Sequence, residues 1–240
     1  MDGTSPCKSR AVGRSAWLAI IAFAILAGCS TYIGTTPKSF LHQIRSNPDP
    51  NIRYLAYAKL GSPELYDHPD EKSEAVKVLI AKLSGGKEPL AVRAVIIRSL
   101  GDLGDRLARD VISRAVNDPE AVIRTEACRA LGKVGRPEDV TILAGVMAAD
   151  NLEDCRIAAI EGIGALKAQD PRIFHVLIEG MEHDDPAIRL SCYRALKQIT
   201  GKDLGSTPDP WRRELEPQSV SPDKPGDVSA GNPREKTKTR

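Results

Sequence analysis

The stretch Asp118-Pro119-Glu120-Ala121-Val122-Ile123-Arg124, continued by Thr125-Glu126-Ala127-Cys128-Arg129-Ala130-Leu131-Gly132, decides the fold because the chain repeats it. Four other segments lie over it: Asp49-Pro50-Asn51-Ile52-Arg53, Glu88-Pro89-Leu90-Ala91-Val92-Arg93, Asn151-Leu152-Glu153-Asp154-Cys155-Arg156 and Asp185-Pro186-Ala187-Ile188-Arg189. Their arginines stand 40, 31, 32 and 33 residues apart, and a period in this range is the mark of a solenoid. Three residues after each arginine comes a small or apolar side chain (Ala56, Ile96, Ala127, Ala159, Cys192), and seven after it an aliphatic one (Leu60, Leu100, Leu131, Ile163, Leu196). Four of the five copies then continue with glycine: Gly61, Gly101, Gly132 and Gly164.

Each feature has a local cause. An acid followed by proline places an N-cap before a residue with preset φ and no N–H to lose, so it starts a helix. Positions −1, +3 and +7 from the arginine share one helical face, which makes that face the buried stripe. A glycine after +7 is expected to take the left-handed turn that ends the helix. Other amphipathic stretches precede these helices: Ala75 to Ile80, Leu107 to Val116, Val140 to Ala148 and Ile173 to Met181. The unit is a helix hairpin that cannot cover its own apolar stripe, so neighbours must cover it. The expected fold is all-α, a solenoid of about five hairpins.

Asp-Pro-x-x-Val-Arg with Ala at +3 and Leu-Gly at +7 and +8 resembles the HEAT repeats, especially the short variant named after phycobilisome-lyase proteins. The resemblance covers residues 36–203, roughly 70% of the chain. Copy four departs from it at Asn151-Leu152, copy five has Lys197 where glycine is expected, and Gly61 to Pro69 reads as a surface loop inserted after copy one. In HEAT proteins the second helices line the concave side, so the resemblance implies a binding strip at positions +1 and +5. That strip is Tyr54, Arg98, Arg129, Ile157, Glu161, Leu190 and Arg194, with Ala58, Ala94 and Thr125 between them. Tyrosine, arginine and large aliphatic residues are enriched at interface hot spots, so its expected occupant is another protein. Charge reversal at Arg98, Arg129 and Arg194 together is expected to abolish capture without lowering the melting temperature. The repeated Arg53, Arg93, Arg124, Arg156 and Arg189 stand at the edge of the core, where each guanidinium reaches an acid or carbonyls of a neighbouring unit as a structural ladder. Trp211, in the segment 204–216, is assigned to a cap over the last open edge.

Both ends differ from this middle. Lys8, Arg10 and Arg14 precede an apolar run from Ala16 to Ala27, which at 1.5 Å per residue spans about 18 Å, short of the roughly 30 Å hydrocarbon layer. Residues 1–28 therefore read as a secretory leader. Leu26-Ala27-Gly28-Cys29 resembles the lipobox of bacterial lipoproteins, which implies cleavage between Gly28 and Cys29 and lipid on Cys29. With Ser30 next, the resemblance implies an exported, lipid-anchored protein of the bacterial outer membrane, facing the periplasm or the cell surface. Residues 29–35 read as a tether, and 217–240, dominated by Pro, Ser, Lys and Gly, as a disordered tail.

Composition narrows the function. Aromatics at 4% disfavour base stacking or sugar binding. Without the leader the chain keeps 31 cations and 31 anions, and zero net charge argues against a nucleic-acid partner. His42, His68, His175 and His183 stand alone, and no His-Glu dipeptide occurs. The HEAT-like deoxyhypusine hydroxylases bind iron through such pairs, so that activity is not expected. Glu182-His183-Asp184-Asp185 reads as a solvated turn ahead of a helix. Cys128, Cys155 and Cys192 have no zinc spacing, and Cys155 at −1 and Cys192 at +3 read as small core residues. No nucleophile elbow, phosphate loop or dinucleotide fingerprint appears. The expectation is a monomeric, membrane-anchored scaffold that is not an enzyme, with no metal and no cofactor. A lyase-like or other enzyme on HEAT repeats is the alternative, and a nucleic-acid-binding HEAT-like module the second.

Overall fold

A computed structural model describes residues 34–215. The leader, Cys29, most of the tether and the tail lie outside the described residues. The chain is all-α, with eleven helices and no strand among the described residues. The helices are α1 (Pro37–Ser46), α2 (Pro50–Leu60), α3 (Pro69–Ser84), α4 (Leu90–Leu103), α5 (Arg109–Ala115), α6 (Ala121–Val134), α7 (Val140–Ala149), α8 (Glu153–Leu166), α9 (Pro171–Gly180), α10 (Pro186–Thr200) and α11 (Pro208–Leu215). They form five hairpins, α1/α2 to α9/α10, and one closing helix: an α-solenoid. Among the described residues no helix is long and apolar enough to cross a membrane.

The chain forms two compact units, one ending at Ala130 and one beginning at Leu131, within α6. In the first, α1 packs on α2 and α3, α2 on α4, and α3 on α4 and α5. First helices thus touch first helices and second helices touch second helices, which is how each hairpin covers its neighbour's stripe. In the second unit α8 packs on α7 and α10, and α9 on α10 and α11. The −1, +3 and +7 positions are buried in all five copies except at Ile52, which is half-buried. Every such face removed from water contributes about 25 cal/mol per Å² of apolar area.

Helix starts follow the acid-proline rule in part. Asp49 accepts a hydrogen bond from the Asn51 amide at 2.8 Å and Asp185 from Ala187 at 2.6 Å. Glu88 does not cap: α4 starts after Pro89 without a side-chain cap, and the Glu88 carboxylate is held by copy one. A second acceptor lies six residues before the ladder arginine. Asn47, Asp118, Asp150 and His183 each accept the amide two residues on, at 2.9 to 3.0 Å.

The glycine expectation needs correction. Gly101, Gly132 and Gly164 lie inside their helices, and Gly61 ends α2 in right-handed conformation at φ −74°. The left-handed residues after the second helices are Gly104, Lys167 and Gly201. Most of the repeated glycines serve close approach between helices instead. A Cβ on Gly132 would stand 2.6 Å from Gly162 Cα, one on Gly164 3.1 Å from Ala195 Cα, and one on Gly61 2.9 Å from Ser99 Cα. The loop after copy one holds a short 3-10 turn, Pro63–Leu65, and is tied down by Tyr66, whose hydroxyl donates to the Leu60 carbonyl at 2.6 Å.

Candidate functional site

The ladder arginines do two things. Arg53, Arg124 and Arg189 each point one terminal nitrogen at the two carbonyls just before their own helix: Asn47 and Pro48, Asp118 and Pro119, His183 and Asp184, at 2.7 to 3.1 Å. In Arg53 the other side of the guanidinium reaches the next hairpin. Arg53 donates through Nε and its second terminal nitrogen to Glu88 at 3.2 and 3.0 Å, and the Tyr57 hydroxyl donates to the same carboxylate at 3.0 Å. Burial first, then Glu88, pushes the Tyr57 hydroxyl above its ordinary range. Arg93 pairs with Asp118 of the next hairpin through one terminal nitrogen. Arg156 instead meets His183 Nε2 at 3.4 Å, and its Nε is buried with no hydrogen-bond partner.

The strip residues fall into two groups, one in each unit. In the first unit Tyr54 on α2 is half-buried, while Arg98 on α4 and Arg129 on α6 are exposed; Ala94, expected between them, is buried. Arg98 donates through Nε to Glu126 of α6 at 3.1 Å and through a terminal nitrogen to its other oxygen. Its side chain is 52% exposed and that of Glu126 only 9%. The hydrogen bonds that Arg98 donates to Glu126 raise its pKa, and the fields of Glu126, Tyr54 and Asp102 act in the same direction against burial. A two-point grip of this kind fixes the plane of an exposed guanidinium, so it loses less freedom when a partner's carboxylate or carbonyl meets its remaining N–H groups. Sequence reasoning missed Glu126. Its signal is an acid at +2 of the second helix, where the other copies carry Leu55, Val95, Ala158 and Ser191. Reversing Arg98 would also place a like charge against a buried carboxylate, so the triple reversal is expected to lower the melting temperature, contrary to the sequence expectation.

In the second unit Ile157 is half-buried and Glu161, Leu190 and Arg194 are exposed, Leu190 at 44%. Trp211 on α11 is fully buried. Its indole N–H donates to the Gly205 carbonyl at 2.8 Å, and its ring meets Tyr193 edge-on with centroids 6.5 Å apart. Lys197 and Tyr193 together hold the Asp203 carboxyl down at about 2. Cys155 and Cys192 lie at core positions, and burial pushes the Cys192 thiol up to about 12.

His183 is half-buried, and its Nδ1 accepts the Asp185 amide at 3.0 Å. Among the described residues no group of three or more His, Cys, Asp or Glu stands together as a metal site would require. With no His-Glu dipeptide in the sequence, the donor set does not fit the paired iron ligands of the hydroxylase family.

Comparison with known proteins bears on this arrangement. Residues 76–164 match the family model described as HEAT repeats. A deoxyhypusine hydroxylase of Aspergillus clavatus is 32% identical over 58% of this chain and 44% of its own length, so the chain spans less than half of that curated relative. The solved complex of CpcE and CpcF of phycocyanin lyase from Nostoc sp. PCC7120 superposes with a TM-score of 0.55 at 23% identity, covering 70% of this chain and 66% of that one. The hydroxylase is an enzyme and the solved complex belongs to a lyase, so the expectation that this chain is not an enzyme does not stand. By its repeated hairpins and its buried stripe the chain is an α-solenoid, and its residues 76–164 match HEAT repeats.

Proposed function

We propose that this chain is a membrane-tethered subunit that binds another protein through Tyr54 and Arg98, the strip residues of the first unit, and works within an enzyme-related assembly. The observation that carries the reading is the Arg98 guanidinium, half exposed and gripped by the buried Glu126 beside Tyr54. Such a group is already oriented toward an incoming acidic or carbonyl-rich surface, and the aromatic beside it supplies apolar area at low entropic cost. The solved neighbour is a complex of two chains of a lyase, which supports protein partners as the kind of ligand. Lipid on Cys29 follows from the lipobox resemblance and would hold the repeats close to a membrane.

A second reading, in which the chain itself carries chemistry, is favoured by the 32% identity to a hydroxylase. In this reading Glu126 and Arg98 are the residues to examine, since the donor set does not suit that family's iron.

Proximity labelling from the intact, anchored protein tests the first reading against a Tyr54→Ala, Arg98→Met variant. The methionine removes the charge while keeping the aliphatic stem, and circular dichroism checks the fold. A partner that is labelled about tenfold less by the folded variant supports the strip as the interface. Equal labelling by both proteins refutes it.

A further inference from the structure

The outer side of α1 takes no part in the strip. α1 buries Phe40, Leu41 and Ile44. Lys38, His42 and Arg45, four and three residues apart, line its exposed side. The helix contains no Asp or Glu. Lys38 is 82% exposed and pairs loosely with Glu71 of α3 at 3.9 Å, and Arg45 is 57% exposed and pairs with Glu74 at 3.1 Å. Surface pairs of this kind are weak and screened by salt, so either cation exchanges partners readily.

Chain length limits where this side can be. Residues 30–36 separate Cys29 from Pro37, and seven residues extend to about 25 Å at most. A lipid on Cys29 therefore keeps the start of α1 within about 25 Å of the headgroups. We propose that the Lys38, His42 and Arg45 side of α1 rests on the anionic headgroups of the membrane that holds the Cys29 lipid. The proposal rests on the acylation of Cys29 put forward above. A basic residue near an anionic surface strengthens attachment by about fivefold, so Lys38 and Arg45 alone would not bring a free protein to a membrane. On a short tether the effective concentration reaches the millimolar range, and the same two cations then suffice to settle the helix.

The test uses the full chain, processed and purified from membranes, in vesicles of phosphatidylcholine alone or with phosphatidylglycerol added. Amide hydrogen exchange of Phe40 to Ser46 is followed, and the mass of the peptide bearing Cys29 reports acylation. Exchange is expected to slow several-fold on the anionic vesicles compared with the neutral ones. The slowing should disappear in the Lys38→Glu, Arg45→Glu variant and at high salt. An acylated chain with equal exchange on both vesicles overturns the α1 contact and leaves the anchor standing, whereas an unmodified Cys29 overturns both. Inorganic phosphate added with neutral vesicles separates the sources of anion. The same protection from phosphate alone would mean a free-anion site and would also overturn the proposal.

Discussion

The same rung is built in two ways in the two units. In copy three Asp118 accepts the Glu120 amide with one oxygen and takes the Arg93 guanidinium on the other. In copy five His183, also six residues before its ladder arginine, accepts the Asp185 amide through Nδ1 and turns Nε2 toward Arg156. A neutral imidazole that accepts at Nδ1 carries its proton on Nε2, so two donors face each other and no bond forms. A histidine therefore reproduces the turn made by the aspartate but not the rung. Small residues bring second helices together in both units, with Gly61 on Ser99 in the first and Gly132 on Gly162 and Gly164 on Ala195 in the second. Charge adds to this backbone contact where a carboxylate of the next hairpin takes the guanidinium, as at Arg53 and Glu88 or Arg93 and Asp118.

Glu88→Ala should have the largest effect. It leaves Arg53 and Tyr57, both largely buried, without their shared acceptor, and a cost of about 3–5 kcal/mol is expected in denaturant unfolding. Gly132→Ala comes next: a methyl placed 2.6 Å from Gly162 Cα must push backbone aside, at a cost of about 1–3 kcal/mol in the same assay. His183→Asp should move in the opposite direction. The carboxylate keeps the Asp185 amide bond and gives Arg156 an acceptor, so a gain of roughly 1 kcal/mol is expected in thermal unfolding. A loss would show that the imidazole contributes something to this rung that an aspartate cannot.

How much of this was legible in the sequence follows from what a period can encode. Periodicity reports which side of a single helix is apolar, and so positions such as Ile96, Leu131, Ile163 and Leu196 are buried as their spacing demands. What lies across from that side depends on the neighbouring hairpin, which carries no local signal. The repeated glycines thus read as helix ends when most of them are contact points, and Glu88 reads as a cap when it is the partner of Arg53. The candidate site was half visible. Tyr54 and Arg98 follow from the angular register, but the grip of Glu126 on Arg98 spans 28 residues and appears only once α4 and α6 lie together. The first hairpin's α1 matched no copy of the motif, because a first helix with one buried face and one exposed side follows no repeated letters. The lone histidines drew attention only as metal ligands, and the role of His183 as a substitute for aspartate depends on counting back from Arg189.

A pair of double-mutant cycles measured by chemical denaturation tests the ladder most directly. One combines Arg53→Met with Glu88→Gln, and the other combines Arg156→Met with His183→Ala. The rung described here predicts a coupling of about 2–3 kcal/mol for the first and below about 0.5 kcal/mol for the second. Equal couplings, or a larger one at Arg156 and His183, would contradict it.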